Sequence, residues 1–85
     1  MNKEKQTNFT EKYSTDSFIL ASLLLAESCR LLEVEKSNPQ RANFIFEKTE
    51  KLDNLIKKFW AYEAFVEVHR YFNSQRDLKQ ILHGQ

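Results

Sequence analysis

The fold is decided by the stretch LLEVEKSNPQRANFIFE, residues 31–47. Two runs of alternating apolar and polar residues, 31–35 and 41–47, flank a polar turn at residues 36–40 that contains Pro39. Alternation with a period of two predicts strands with one covered face, and proline belongs in the turn because it cannot donate a ladder hydrogen bond. An isolated hairpin is marginal in water, so helices must cover one of its faces. The stretch therefore predicts a small α+β domain rather than a helical bundle.

Helices are predicted on both sides of this hairpin. The first covers residues 17–30, the second begins after Thr49, and the last covers residues 69–82, with a short strand expected at residues 65–68. Suitable caps ahead of the first helix are Ser14, Thr15 and Asp16. The expected order is helix, β-hairpin, helix, short strand, helix, with the helices packed on one face of a small antiparallel sheet. Residues 1–12 are expected to form a flexible tail, and residues 13–85 a single domain.

The first helix is apolar on almost every side, which is typical of a helix that is buried or shared with a partner. It is therefore either the central helix of the fold or a homodimer seam. The core expected from the apolar stripes consists of Leu20, Leu24, Phe44, Phe46, Leu55, Phe59, Phe72 and Leu78. Ile45 alternates with Phe44 and Phe46 and points away from them, either under the tail or into a contact patch.

Composition limits the classes of function. The chain has 85 residues, of which 41% are hydrophobic and 29% charged, with a formal net charge of +1. These values are typical of a folded domain and give no global reason to bind nucleic acid or an anionic membrane. The longest apolar stretch, residues 18–26, is too short to span a bilayer. A single cysteine, Cys29, and the lack of a recognisable targeting segment favour the cytoplasm.

Recognisable catalytic chemistry is missing from the sequence. Gly84 is the only glycine, which excludes the glycine-rich loops that cradle phosphates. His69 and His83 are too far apart in one predicted helix to chelate one metal ion. We therefore expect no catalytic residue, metal, cofactor or small-molecule substrate, and a protein that is not an enzyme.

Two kinds of partner fit the remaining features. A protein-interaction or self-association module, including a homodimer, would use Ile45, Trp60 and Tyr62, because exposed apolar and aromatic side chains anchor interfaces. A nucleic-acid-binding module would instead use basic side chains beside the hairpin turn and on the last helix. These candidate contacts are Arg41, Arg70, Arg76 and Lys79. The first hypothesis is preferred because a net charge of +1 is poorly suited to gripping phosphates.

The segments YSTD at residues 13–16 and RANFIF at residues 41–46 are two of four that carry a family resemblance. They resemble the opening helix and the basic-then-aromatic strand of a family of small uncharacterised domains from bacteria and their phages, known only as a domain of unknown function. Phe59-Trp60 resembles the end of its second helix, and residues 68–79 its last helix. A glycine-containing turn follows the aromatic pair in such proteins, whereas this chain has Ala61-Tyr62-Glu63, so its second helix is expected to run longer. The resemblance implies an intracellular bacterial or phage setting and supplies no catalytic residue.

Overall fold

The computed structural model describes residues 11–38 and 41–84. These residues form an α+β domain in the order β1 (Lys12–Thr15), α1 (Phe18–Ala26), β2 (Leu31–Asn38), β3 (Arg41–Glu47), α2 (Glu50–Trp60) and α3 (Val68–Gly84). The expected fold class and hairpin are confirmed. The centre of the hairpin turn, Pro39 and Gln40, lies outside the described residues, as does all of the expected tail except Glu11 and Lys12.

The sheet has three antiparallel strands in the order β1-β3-β2. Its third strand is β1, which pairs with β3 from Lys12 opposite Glu47 to Thr15 opposite Phe44. The strand expected at residues 65–68 is wrong, because residues 63–67 connect two helices without a ladder partner and Val68 begins α3. Residues 13–16, which were expected to open the first helix, therefore lie largely in β1. Helix α1 is capped by Ser17, whose side chain accepts a hydrogen bond from the Leu20 N–H.

The position of β1 also corrects the expectation for Ile45. β3 is the central strand, so Ile45 lies between Ser14 of β1 and Glu33 of β2 and is only 9% exposed. A two-stranded hairpin would have left this residue open on one flank. Ile45 is therefore not available as an exposed contact residue.

Helix α1 is the centre of the domain. It packs most extensively against α3, and Leu20, Leu23 and Leu24 lie in one buried cluster with Phe44 and Phe46 of β3. Of the two expectations for this apolar helix, burial within one chain is the one observed. Its end at Ala26, rather than near residue 30, is fixed by Ser28, which has a φ of 69°.

The turn after α1 is a Schellman motif. The Ser28 N–H donates to the Leu25 carbonyl and the Cys29 N–H to the Leu24 carbonyl, at 3.0 and 2.9 Å, which satisfies carbonyls that the helix end would leave unpaired. Cys29 is buried here, and its burial raises the pKa of the thiol.

The expected core is mostly confirmed. Five of its members are fully buried: Leu20, Leu24, Phe44, Phe46 and Leu78. Leu55 and Phe59 of α2 are half-buried and pack against this cluster. Phe72 is wrong as a core residue, because it is 59% exposed on the outer side of α3.

Two basic side chains donate hydrogen bonds to carbonyl groups at the ends of helices in other parts of the fold. The guanidinium of Arg70 in α3 donates to the Ala26 carbonyl at the end of α1. The ammonium of Lys36 in β2 donates to the Leu82 carbonyl in the last turn of α3. Cations suit these positions because carbonyl groups at a helix C-terminus carry partial negative charge. None of the helices among the described residues combines the length and the hydropathy that a membrane-spanning segment requires.

Candidate interaction surface

The candidate surface begins at the turn after α2. Helix α2 is capped at its start by Thr49 and ends at Trp60, so the longer helix expected from the missing glycine is wrong. Tyr62 adopts a φ of 61°, its N–H donates to the Phe59 carbonyl at 3.1 Å, and the Glu63 N–H donates to the Lys58 carbonyl at 2.8 Å. This is a second Schellman motif, with tyrosine at the left-handed position where glycine is usual.

The connection that follows the turn is extended and anchored on one side. Ala64 and Val66 pack against the core, whereas the residues on either side of them, Glu63, Phe65 and Glu67, are exposed. This alternation is the period of extended backbone. Because Ala64 and Val66 pack against the core, Phe65 between them faces solvent and is 89% exposed.

Five large apolar side chains are exposed along this part of the chain, and we call them the aromatic surface: Trp60, Tyr62, Phe65, Val68 and Phe72. Tyr62 is 95% exposed and Trp60 66%. Neighbouring members are two to four residues apart, and a chain spans at most about 3.6 Å per residue. Val68 and Phe72 lie one turn apart on the same side of α3. The set therefore lies along one stretch of the chain, from the end of α2 to the second turn of α3.

Ordered contacts fix this region at two points. The Trp60 ring packs edge-to-face against Phe59, with ring centroids 5.0 Å apart. At the start of α3, the two Glu67 carboxylate oxygens accept from the backbone N–H groups of His69 and Arg70, at 3.1 and 3.0 Å. These hydrogen bonds, with a further one from the His69 ring, lower the pKa of Glu67. Glu67 therefore caps α3 with a charged carboxylate.

Of the three residues expected at a protein interface, the structure brings two together. Trp60 and Tyr62 both lie in the aromatic surface, whereas Ile45 is buried in the sheet. The sequence does not identify Phe65, Val68 and Phe72, because the first two fall in the predicted strand at residues 65–68 and Phe72 in the predicted core. On a helical wheel of α3, Phe72 lies about 120° from the buried Leu78 and on the same side as Val68. This position indicates that the Phe72 side chain is exposed.

The four candidate nucleic-acid contacts do not share one face. Arg70 and Lys79 are nine residues apart in α3, so they point in opposite directions, about 180° apart. Arg70 is also held by Ala26 and lies 3.2 Å from a carboxylate oxygen of Glu27. A guanidinium N–H of Arg76 donates to the Asn73 side chain on the same helix. Arg41 is exposed at the start of β3.

Chemistry at the described residues is limited. Among them, no group of three or more histidine, cysteine, aspartate or glutamate side chains is placed to hold a metal ion. The lone thiol, Cys29, is buried beneath the turn after α1.

Comparison with known families gives a match that runs along residues 10–84. Searches among curated proteins and among solved structures give no match. The family match covers nearly the whole chain and every helix and strand described above. The chain therefore belongs to the family described as "Domain of unknown function (DUF5659)".

Proposed function

We propose that this chain is a non-enzymatic protein-interaction module that binds its partner through the aromatic surface. One observation carries the proposal: an anchored segment holds Phe65 and Tyr62 almost fully in solvent. Taking about 200 Å² for each of the four aromatic side chains, their summed exposed area is on the order of 600 Å².

The backbone at Tyr62 supports the same function. A left-handed conformation costs a residue other than glycine about 1–2 kcal/mol, so glycine would suit this turn better for stability alone. Tyrosine instead places a large amphipathic side chain at the most exposed position of the surface, and aromatic residues are enriched at protein interfaces. Strain at an exposed aromatic residue is a reason to infer a binding role.

The cellular setting of the module is proposed from features of the sequence. We propose that the module works in the cytoplasm of a bacterium or a phage-infected cell. Its single cysteine has no partner for an intramolecular disulfide, which suits a reducing compartment. The bacterial or phage origin follows from the resemblance of segments such as RANFIF, residues 41–46.

Nucleic-acid binding is the alternative, and the described basic side chains favour it less. Arg70 is occupied at the end of α1, and Lys79 lies on the opposite side of α3. Phosphate contacts need basic groups that converge on one surface. Salt-sensitive binding of mixed DNA or RNA that is weakened by Arg76→Ala and Lys79→Ala would favour this alternative.

Site-specific photo-crosslinking in the source organism tests the interaction function. The photoreactive residue p-benzoylphenylalanine replaces Phe65, where it keeps an aromatic ring, and in a matched control it replaces Gln80, an exposed residue further along α3. We expect a discrete protein adduct from position 65, identified by mass spectrometry, and none from position 80. The adduct should also disappear when Tyr62→Ser is added. Equal labelling from both positions, or no adduct at position 65, would contradict the proposal.

A further inference from the structure

We infer that the partner binds as an extended strand beside residues 63–67, and that this strand places a large apolar side chain opposite Phe65, between two basic ones. The inference rests on the proposed function, because it names the class of partner that the same surface takes. Three observations carry it: strand-like backbone without a neighbouring strand, the direction of its hydrogen-bonding groups, and the charge on its exposed side.

The connection at residues 63–67 has the properties of a strand that lacks its neighbour. Its side chains alternate between core and solvent, and Phe65 and Val66 are of residue types enriched in strands. No hydrogen bond from residues 11–38 or 41–84 reaches the backbone N–H or C=O groups of Ala64, Phe65 or Val66. The sequence predicts a strand here, and what the described chain lacks is the ladder partner.

The backbone groups that a partner would pair with point to one edge of this connection. In extended backbone, the N–H and C=O groups of one residue point to the same edge, and those of the next residue point to the other. The Glu63 N–H donates to a carbonyl of α2, and the Glu67 carbonyl accepts from an N–H of α3, so the odd-numbered residues face the helices. The groups of Ala64 and Val66 are therefore presented at the opposite edge, to a neighbouring strand.

The exposed side of the connection sets the chemistry of the partner. Glu63, Phe65 and Glu67 point to solvent in alternation, so a paired strand meets them with every second side chain. An apolar side chain opposite Phe65 covers its ring, and basic side chains on either side match the two carboxylates. Glu63 is the stronger determinant, since it takes part in none of the ion pairs among the described residues. The Glu67 carboxylate is already held by backbone N–H groups of α3.

The edges of the sheet are the competing places for strand addition. The Glu11 carbonyl accepts from the Lys48 N–H beside β3, so the backbone groups of Lys12 and Ser14 in β1 point to the outer edge. Both of these side chains are polar and provide no large apolar anchor. The other outer strand, β2, is interrupted by register irregularities. In strand addition, main-chain hydrogen bonds supply affinity and side-chain contacts supply specificity, and the connection at Phe65 provides both.

Selection from a phage-displayed library of short random peptides tests which sequences the full chain binds. We expect the selected peptides to share an apolar residue with basic residues two positions before and after it, the spacing of a strand. Selection on Glu63→Lys should lose the basic residue at one of these positions, whereas Glu35→Lys, an exposed change on β2, should leave the pattern intact. Peptides with apolar residues at helical spacing, or no enriched pattern, would overturn the inference.

A backbone substitution tests the hydrogen bonds without changing a side chain. The chain is assembled by chemical ligation at Cys29, with lactic acid in place of Ala64, so that an ester oxygen replaces the N–H. Phenyllactic acid in place of Phe65 is the matched control, because that N–H lies on the edge that faces the helices. Calorimetric titration with a selected peptide should show a Kd raised about fivefold by the ester at position 64, the contribution of one hydrogen bond. The ester at position 65 should leave the Kd unchanged.

Thermal unfolding checks that both synthetic chains fold. A Kd that is the same for the parent chain and for the ester at position 64 would overturn the inference, because the peptide would then bind at β1 or through side chains alone. The proposed function would survive that result if position 65 still crosslinks to a protein. Loss of the crosslink would instead contradict the proposed function itself, so the two failures are distinguishable.

Discussion

Arg70 donates two hydrogen bonds to the carbonyl oxygen of Ala26, from Nε at 3.2 Å and from Nη2 at 3.0 Å. Ala26 is the last residue of α1, so one side chain of α3 satisfies a backbone acceptor at the end of the central helix. The Glu27 carboxylate, 3.2 Å from the same guanidinium, completes the contact.

Replacing Arg70 should therefore weaken the fold. We expect Arg70→Ala to lower the free energy of unfolding by about 1 kcal/mol, because charged hydrogen bonds are strong but this side chain is half-exposed. Arg70→Lys should recover only part of the loss, since an ammonium lacks the two-pronged geometry of guanidinium. Urea denaturation measures both. Arg76→Ala, which removes a contact within α3, is the control and should cost less than about 0.5 kcal/mol.

Two phenylalanines separate core from surface. Phe46 is fully buried in the central strand, so Phe46→Ala should lower the free energy of unfolding by about 3–5 kcal/mol. Phe72→Ala should cost less than about 1 kcal/mol, because most of that ring is in solvent. Urea denaturation measures both losses. Equal losses for the two variants would return Phe72 to the core.

Replacing either of the two left-handed turn residues should have the same effect on stability but a different effect on partner binding. Replacing Tyr62 or Ser28 with glycine relieves about 1–2 kcal/mol of backbone strain, which exceeds the extra freedom of glycine in the unfolded chain, about 0.5–1 kcal/mol. Both variants should therefore be more stable by about 0.5–1 kcal/mol in urea denaturation. Only Tyr62→Gly should weaken crosslinking from position 65, because Tyr62 lies in the aromatic surface and Ser28 lies at the end of α1. Destabilisation by both changes would show that the turns are not strained.

Glu67 makes stability depend on pH in a defined direction. Its pKa is lowered in the folded chain by the backbone N–H groups that it caps, so its contribution is present above its pKa in the unfolded chain. That contribution disappears as the pH falls through the lowered value. Glu67→Gln should therefore lower the melting temperature at neutral pH, and the difference from the parent chain should vanish in acid. Glu35→Gln, on β2, is the control, and a difference for Glu67→Gln that is constant with pH would contradict the capping role.

Local signals in the sequence predicted the elements that depend on local structure. The alternation in residues 31–47 identified the hairpin, and Thr49 identified the start of α2, because strand period and helix capping act over a few residues. β1 was missed because its partner, β3, lies about 30 residues further along, and its Ser and Thr resemble helix caps. The error for Ile45 follows from the same omission, since only a third strand encloses it.

Local sequence patterns also predicted only part of the candidate surface, because the rest depends on tertiary contacts. Trp60 ends an amphipathic helix and Tyr62 follows it, so the apolar stripe of the helix indicates that both side chains are exposed. Phe65 required knowing that Ala64 and Val66 anchor the connection, and that contact is tertiary. A run rich in β-forming residues predicts extended backbone equally well whether or not a neighbouring strand is present.

The central strand acquires its two neighbours by different routes, and this should govern how the chain folds. β2 directly precedes β3, so the hairpin can close within microseconds. Pairing β1 with β3 must close a loop that contains α1 and β2, and long-range contacts of this kind slow folding. We expect the hairpin to form early, and the docking of β1 with α1 to limit the folding rate. In the native state, amide hydrogens of β1 should exchange with solvent before those bridging β2 and β3, so the sheet opens first at its amino-terminal strand.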